Sequence, residues 1–158
     1  MRLNFYKPNK SNTGTAVSFN TSYKDKDQAK GEAPDLYVSF VKQAGWNEQT
    51  RKGSFSENAK NPEKTAALKL NETEAASIIR AVRCSSKFST VHAYQGSTTS
   101  IMFGPYQKKS GEDAFSFSIK KGEQSFLIGF ELGEAELIAQ YMENYLRVFF
   151  ETSAWKRP

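Results

Sequence analysis

The chain offers almost no imidazole or thiol chemistry: one histidine, His92, and one cysteine, Cys84, in 158 residues. A zinc site built from His and Cys within one chain is therefore excluded. A Cys–His dyad would need the two side by side, yet Cys84 follows a helical stretch and His92 falls in mid-strand. A single cysteine forms no internal disulfide and fits a reducing compartment. The Asn-X-Ser/Thr triplets at Asn9, Asn20 and Asn71 then read as coincidental. No Gly-rich phosphate loop of Walker or dinucleotide-binding spacing occurs. The four aspartates, Asp25, Asp27, Asp35 and Asp113, are expected in loops, poor material for a two-metal nuclease. No apolar run is long enough to span a membrane. The start, MRLNFYKPNK, lacks the apolar stretch of a signal peptide and the Arg- and Ser-rich character of a transit peptide. These absences predict a soluble, cytoplasmic, non-enzymatic protein with no cofactor, no metal and no membrane partner.

What is present is positive charge and aromatic surface. The net charge is +5, and it is unevenly spread. The stretch 133–151 carries Glu134, Glu136, Glu143 and Glu151 against Arg147 alone, so the remainder of the chain is more basic than the total suggests. With 12 Phe, 7 Tyr and 2 Trp, the basic remainder favours single-stranded nucleic acid over a membrane surface.

Period-two alternation dominates the chain. Val17, Phe19 and Tyr23 share one face against Ser18, Asn20 and Ser22. Leu36, Val38 and Phe40 oppose Tyr37, Ser39 and Val41. Further strands are expected at 3–7, 53–57, 65–70, 88–95, 99–105, 114–121 and 125–132, paired antiparallel because their connections are short. Two segments switch to helical spacing. One, from an Asn71 cap with Glu74 completing a capping box, places Ala75, Ile78, Ile79 and Val82 on one stripe. The other aligns Ile138, Tyr141, Met142, Tyr145, Leu146 and Phe149. The polar stretch 24–35 is expected to be a connector.

The strand-to-helix junction is written twice. LKLNETEA at 68–75 is echoed by FELGEAEL at 130–137, an offset of 62 that sets Glu72 on Glu134, Glu74 on Glu136 and Gly133 where Asn71 stands. Carried upstream, it sets Ser54-Phe55-Ser56 on Ser116-Phe117-Ser118. The glutamates suit a positive helix N-terminus. The expected architecture is α+β: two antiparallel four-stranded sheets with two helices, a tandem ββββα repeat in one domain over 1–158, repeat one at about 1–84 and repeat two at about 85–152.

A sequence-tolerant single-strand binder needs cations for phosphates and aromatic faces for bases. Candidates in the first repeat are Tyr6, Lys7 and Lys10, then Tyr37 and Lys42, then Trp46, Arg51, Lys52 and Phe55, then Lys60 and Lys64. The second repeat adds Phe88, His92 and Tyr94 on one strand face, and Tyr106, Lys108 and Lys109 near a hairpin end. Most phenylalanines, Phe55 among them, fit a core better than a stacking surface, and turn lysines such as Lys108 and Lys109 fit plain solvation better than phosphate contact. Trp46 reads as either a stacking platform or a loop anchor.

The twice-repeated order resembles the Whirly proteins, and each half resembles the single-strand-binding domain of positive cofactor four. AFSFSIKK, a turn, FLIGFELGEAELIAQYMENYL and Trp155 are similar to the Whirly C-terminal half. LYVSFVKQAGWNEQTRKGSF is similar to its hairpin with a Trp-containing loop. The family's Lys-Gly-Lys-Ala-Ala-Leu motif has two partial counterparts. Tyr6-Lys7 with Lys10 and Thr15-Ala16-Val17 matches by position, and Lys64-Thr65-Ala66-Ala67-Leu68 by wording. The resemblance implies single-stranded DNA binding along the sheets by a homo-oligomer, a dimer or tetramer, in replication, recombination or repair. It also implies a bacterial or phage-encoded member, since no organelle transit peptide is read. RNA binding, transcriptional regulation and a protein-binding adaptor role are the alternatives.

Overall fold

The computed structural model describes residues 1–23 and 32–152. The first sheet contains β1 (Arg2–Lys7), β2 (Thr15–Ser22), β3 (Asp35–Lys42) and β6 (Thr65–Leu70), hydrogen-bonded in that order. Between β3 and β6, β4 (Gly45–Asn47) and β5 (Lys52–Ser54) form a separate two-stranded ribbon. The second sheet contains β7 (Phe88–Tyr94), β8 (Ser97–Gln107), β9 (Asp113–Lys121) and β10 (Gln124–Phe130), also in sequence order. All pairings are antiparallel. Helix α1 (Glu72–Cys84) follows β6, and α2 (Leu132–Glu151) follows β10. The chain is thus α+β, with two antiparallel four-stranded sheets, each followed by a helix.

Strand alternation decides which way each sheet faces. Phe5, Val17, Phe19, Leu36, Val38 and Phe40 turn inward from the first sheet. Ile101, Phe103, Phe115, Phe117, Phe126 and Phe130 turn inward from the second. The two inner faces meet through aromatic rings: Phe19 lies 6.1 Å from Phe117 and nearly parallel to it, Phe40 is 5.1 Å from Phe117, and Phe5 is 5.0 Å from Phe130. Each large apolar side chain so buried contributes about 1.5–3 kcal/mol. The helices pack on one another, burying Ala75, Ile78 and Ala81 of α1 and Ile138, Met142 and Tyr145 of α2. Arg83 of α1 ties them by reaching Glu136 at 3.0 Å and Glu143 at 3.1 Å.

The α1 cap forms as the sequence predicts: Asn71 Oδ1 accepts from the Glu74 N–H at 2.9 Å, and a Glu74 carboxylate oxygen accepts from the Asn71 N–H at 2.9 Å. The second junction departs from the 62-residue echo. Its N-cap is Glu131, not Gly133, and Glu134 accepts from the Glu131 N–H at 2.9 Å. Glu134 is therefore the counterpart of Glu74, and Glu131 of Asn71, a true offset of 60. Hydrogen-bonding geometry at the cap outweighs the lettering match. The upstream part of the echo is also coincidental. Ser116-Phe117-Ser118 lies in the middle of β9, whereas Ser54-Phe55-Ser56 leaves the ribbon for a 3-10 turn at Ser56–Asn58.

Three further expectations change. The strand expected at 53–57 pairs with β4 outside the main sheet. Asp35 and Asp113 open strands rather than sit in loops. Tyr23 lies past the end of β2 and is exposed. Asp25 and Asp27, most of the 24–35 connector, and Trp155 lie outside the described residues.

Candidate nucleic-acid interface

Because inward and outward residues alternate, the register of the first sheet fixes its outer face row by row. One row runs Arg2, Asn20, Tyr37, Lys69; the next Asn4, Ser18, Ser39, Ala67; the last Tyr6, Ala16, Val41, Thr65. Tyr6 is 62 % exposed, unusual for an aromatic side chain in a strand. Tyr37 donates from its hydroxyl to Asp35 at 3.2 Å, and Asp35 also takes Lys69 at 2.6 Å. The hydrogen bond to Asp35 is the main reason the Lys69 ammonium is held above the ordinary lysine value.

The insertion between β3 and β6 folds back over this face. Phe55 brings its ring to 5.8 Å from that of Tyr6, tilted by 54°. Together with Ser56 and Ala59 it roofs a recess of about 350 Å³ whose floor includes Arg2, Asn4, Ser18, Ser39 and Val41. The insertion is pinned by Gln43, a buried side chain whose amide spends all its hydrogen-bonding capacity. Its Oε1 accepts from the backbone N–H groups of Asn9 at 2.9 Å and Gly14 at 3.0 Å. Its Nε2 donates to the carbonyls of Asn9 and Gly45, each at 3.0 Å. Asn58 fastens the other end, donating to the carbonyls of Lys42 at 2.9 Å and Gln43 at 3.1 Å. A side chain at Gly14 would overlap the Lys7 carbonyl and the Gln43 amide, and one at Gly53 would overlap Pro8, so both positions need glycine for close approach.

The remaining candidates scatter. Arg51 and Lys52 are exposed on the ribbon, and Lys60 and Lys64 are exposed in the segment leading to β6. Trp46 is half-buried within the ribbon, and its indole N–H has no partner among the described residues. Lys10 is exposed in the β1–β2 turn. Lys7 points to the inner side, where its ammonium meets both Glu134 carboxylate oxygens at 2.6 and 2.7 Å. Burial alone would push the Glu134 carboxyl up; Lys7 and the Glu131 N–H outweigh that and hold it below the ordinary glutamate value. Lys42 is also inward, its ammonium 5.2 Å from the centre of the Phe126 ring.

In the second sheet, Phe88 packs against the core. His92 approaches Glu74 to 2.5 Å, while Tyr94 is 75 % exposed at the strand end. These two line a cleft of about 870 Å³ with Lys69 and Lys121, between the β6 edge and the β7–β8 hairpin. Tyr106 lies on the outer face, against Gly129. Lys108 sits 3.8 Å from both Glu112 and Glu131, and Lys109 is exposed in the same turn. The outer face here carries Val91, Met102 and Leu127 among Ser89, Ser100, Ser118 and Ser125, with Lys120. Sequence reading passed over Arg2, Asn4, Ser18 and Ser39 as parts of a site; their shared parity with Tyr6 was the available signal.

No family model matches the chain, and no curated protein matches its sequence. A solved structure does share its fold. That of Trypanosoma brucei MRP1/MRP2 superposes with a TM-score of 0.60 over 92 % of this chain and 83 % of its own, at 13 % sequence identity. Among the described residues, no helix is long and apolar enough to cross a membrane.

Proposed function

We propose that this chain is a non-enzymatic, Whirly-like single-stranded DNA-binding protein with little sequence preference, working as a homo-oligomer. The observation that carries the reading is the outer face of the first sheet, where exposed Tyr6 and half-buried Phe55 and Tyr37 share a face with the cations Arg2 and Lys69. Aromatic faces stack on any base, and cations follow any phosphate, so this combination favours a single strand over a particular sequence. A flat duplex would present its phosphates but not its base faces to such a sheet. The homo-oligomer is supported by apolar side chains left exposed on α2, Leu132 and Leu137.

The test is a titration of fluorescein-labelled dT30 at several salt concentrations, with duplex and matched RNA as competitors. Binding that prefers single-stranded DNA, with a log–log salt slope of about 0.7 per phosphate contacted, is the expected result. RNA competing as well as DNA would make the ligand single strands in general. Duplex competing as well as single strand would overturn the reading.

A further inference from the structure

We infer that the recess between Tyr6 and Phe55 is a subsite for one unpaired nucleobase. The inference rests on the single-strand reading and names where a base would be held. Divergence between the repeats points to it. Matching the two helix caps sets Thr65 on Ser125, and the cross-strand rows then set Tyr6 on Val91. In repeat two, β9 and β10 are joined by a tight turn at Gly122, with no insertion. In repeat one, the same connection runs from Gln43 to Lys64 and places Phe55 over the sheet. The insertion and the aromatic strand residue thus occur together, in one repeat only.

The chemistry of the recess suits a base. Its two rings are tilted rather than stacked on each other, so each keeps a π-face to offer. The side chains of Asn4, Ser18 and Ser39 make no hydrogen bond to other described residues, which leaves donors and acceptors free for a base edge. Arg2 forms no ion pair among the described residues and stands ready for a phosphate. A volume of about 350 Å³ lies at the lower end of small-ligand sites, enough for one nucleotide and too small for a base pair with its backbones. The larger cleft by His92 and Tyr94 differs in this respect, since Lys69 and His92 are already engaged by Asp35 and Glu74.

The experiment pairs photo-crosslinking with affinity. A dT oligomer carrying 5-iodouracil is irradiated on the wild-type chain, and crosslinks are located by mass spectrometry. They are expected at Tyr6 or Phe55. Phe55→Ala is expected to weaken dT30 binding roughly five- to hundred-fold, as loss of one stacked base does, with the salt slope unchanged. Phe55→Leu, which keeps the apolar roof but not the ring, should lose most of the same affinity. Crosslinks elsewhere, with both variants binding within twofold of wild type, would overturn the subsite and leave the single-strand reading standing. A wild-type chain that does not bind dT30 would remove both.

Discussion

Replacing Gln43 by leucine tests whether the insertion is held by one buried amide. Leucine has nearly the same size, so the change removes hydrogen bonds with little change of volume. The Gly14 N–H is buried and would lose its acceptor, at a cost of about 1–3 kcal/mol for an unsatisfied buried donor. The Asn9 groups lie at the surface and can turn to water, which limits their loss. The Gly45 carbonyl is half-buried and adds a smaller term. The total is about 2–4 kcal/mol, which for a chain of this size lowers Tm by roughly 4–16 °C. Thermal unfolding followed by circular dichroism reads this directly. Because Gln43 also positions the segment bearing Phe55, oligonucleotide affinity should fall at temperatures where the variant is still folded. A Tm within one or two degrees of wild type would refute the reasoning, because it would mean the four hydrogen bonds contribute nothing net.

Two further perturbations test charge and burial. Lys7→Met should cost about 0.5–1 kcal/mol near neutral pH, since the pair with Glu134 is half-exposed. The Glu134 carboxyl is held below its ordinary value near 4.5, so the stability Lys7 confers is present above that pH and is lost as pH falls further. Wild type and variant should therefore converge in acid denaturation below about pH 4.5, and a gap persisting at pH 2 would contradict the assignment. Tyr145 is the alkaline counterpart: burial, aided by the charges of Glu72 and Asp35, pushes its hydroxyl up to about 12. The fold is therefore at its full stability below the ordinary value near 10 and loses stability as pH rises towards 12. Tyr145→Phe should flatten the fall in urea stability between pH 10 and 12, and an unchanged slope would place the hydroxyl in contact with water.

The sheets were legible because burial leaves a period-two mark: Phe19, Phe40, Phe103 and Phe117 are all fully buried where alternation sets them inward. The first helix was legible from its cap. The second cap was misplaced because a glutamate there looks like ordinary first-turn chemistry, and the repeat seemed to demand Gly133. The ribbon was illegible because Gly45–Asn47 and Lys52–Ser54 are too short to show alternation. Gln43 was invisible for a deeper reason, since its role depends on the backbone of Asn9 and Gly14 arriving from a distant turn. For the site, type and charge singled out Tyr6 and Phe55, but also Lys7 and Lys42, whose parity turns them inward. Applying to lysines the alternation used for phenylalanines would have separated the two sets.

The two repeats show where fold and function part company. Their inner faces are interchangeable in kind, both lined by phenylalanine and aliphatic side chains, because both must close the same core. Their outer faces are not. Where the first sheet has Asn20, Tyr37 and Lys69, the second has Gly104, Ser116 and Gly129, and where the first has Tyr6 under a phenylalanine roof, the second has an open Val91. Outward positions of a strand contribute little to folding, so they drift unless something else uses them. A face that holds aromatic rings in water bears the cost of exposing them. The first sheet holds Tyr6 there and has an insertion clasped at Gln43 and Asn58 that brings a second ring beside it. The second sheet has no such insertion, and its outer face exposes Val91, Met102 and Leu127 among serines, with Tyr106 towards one end.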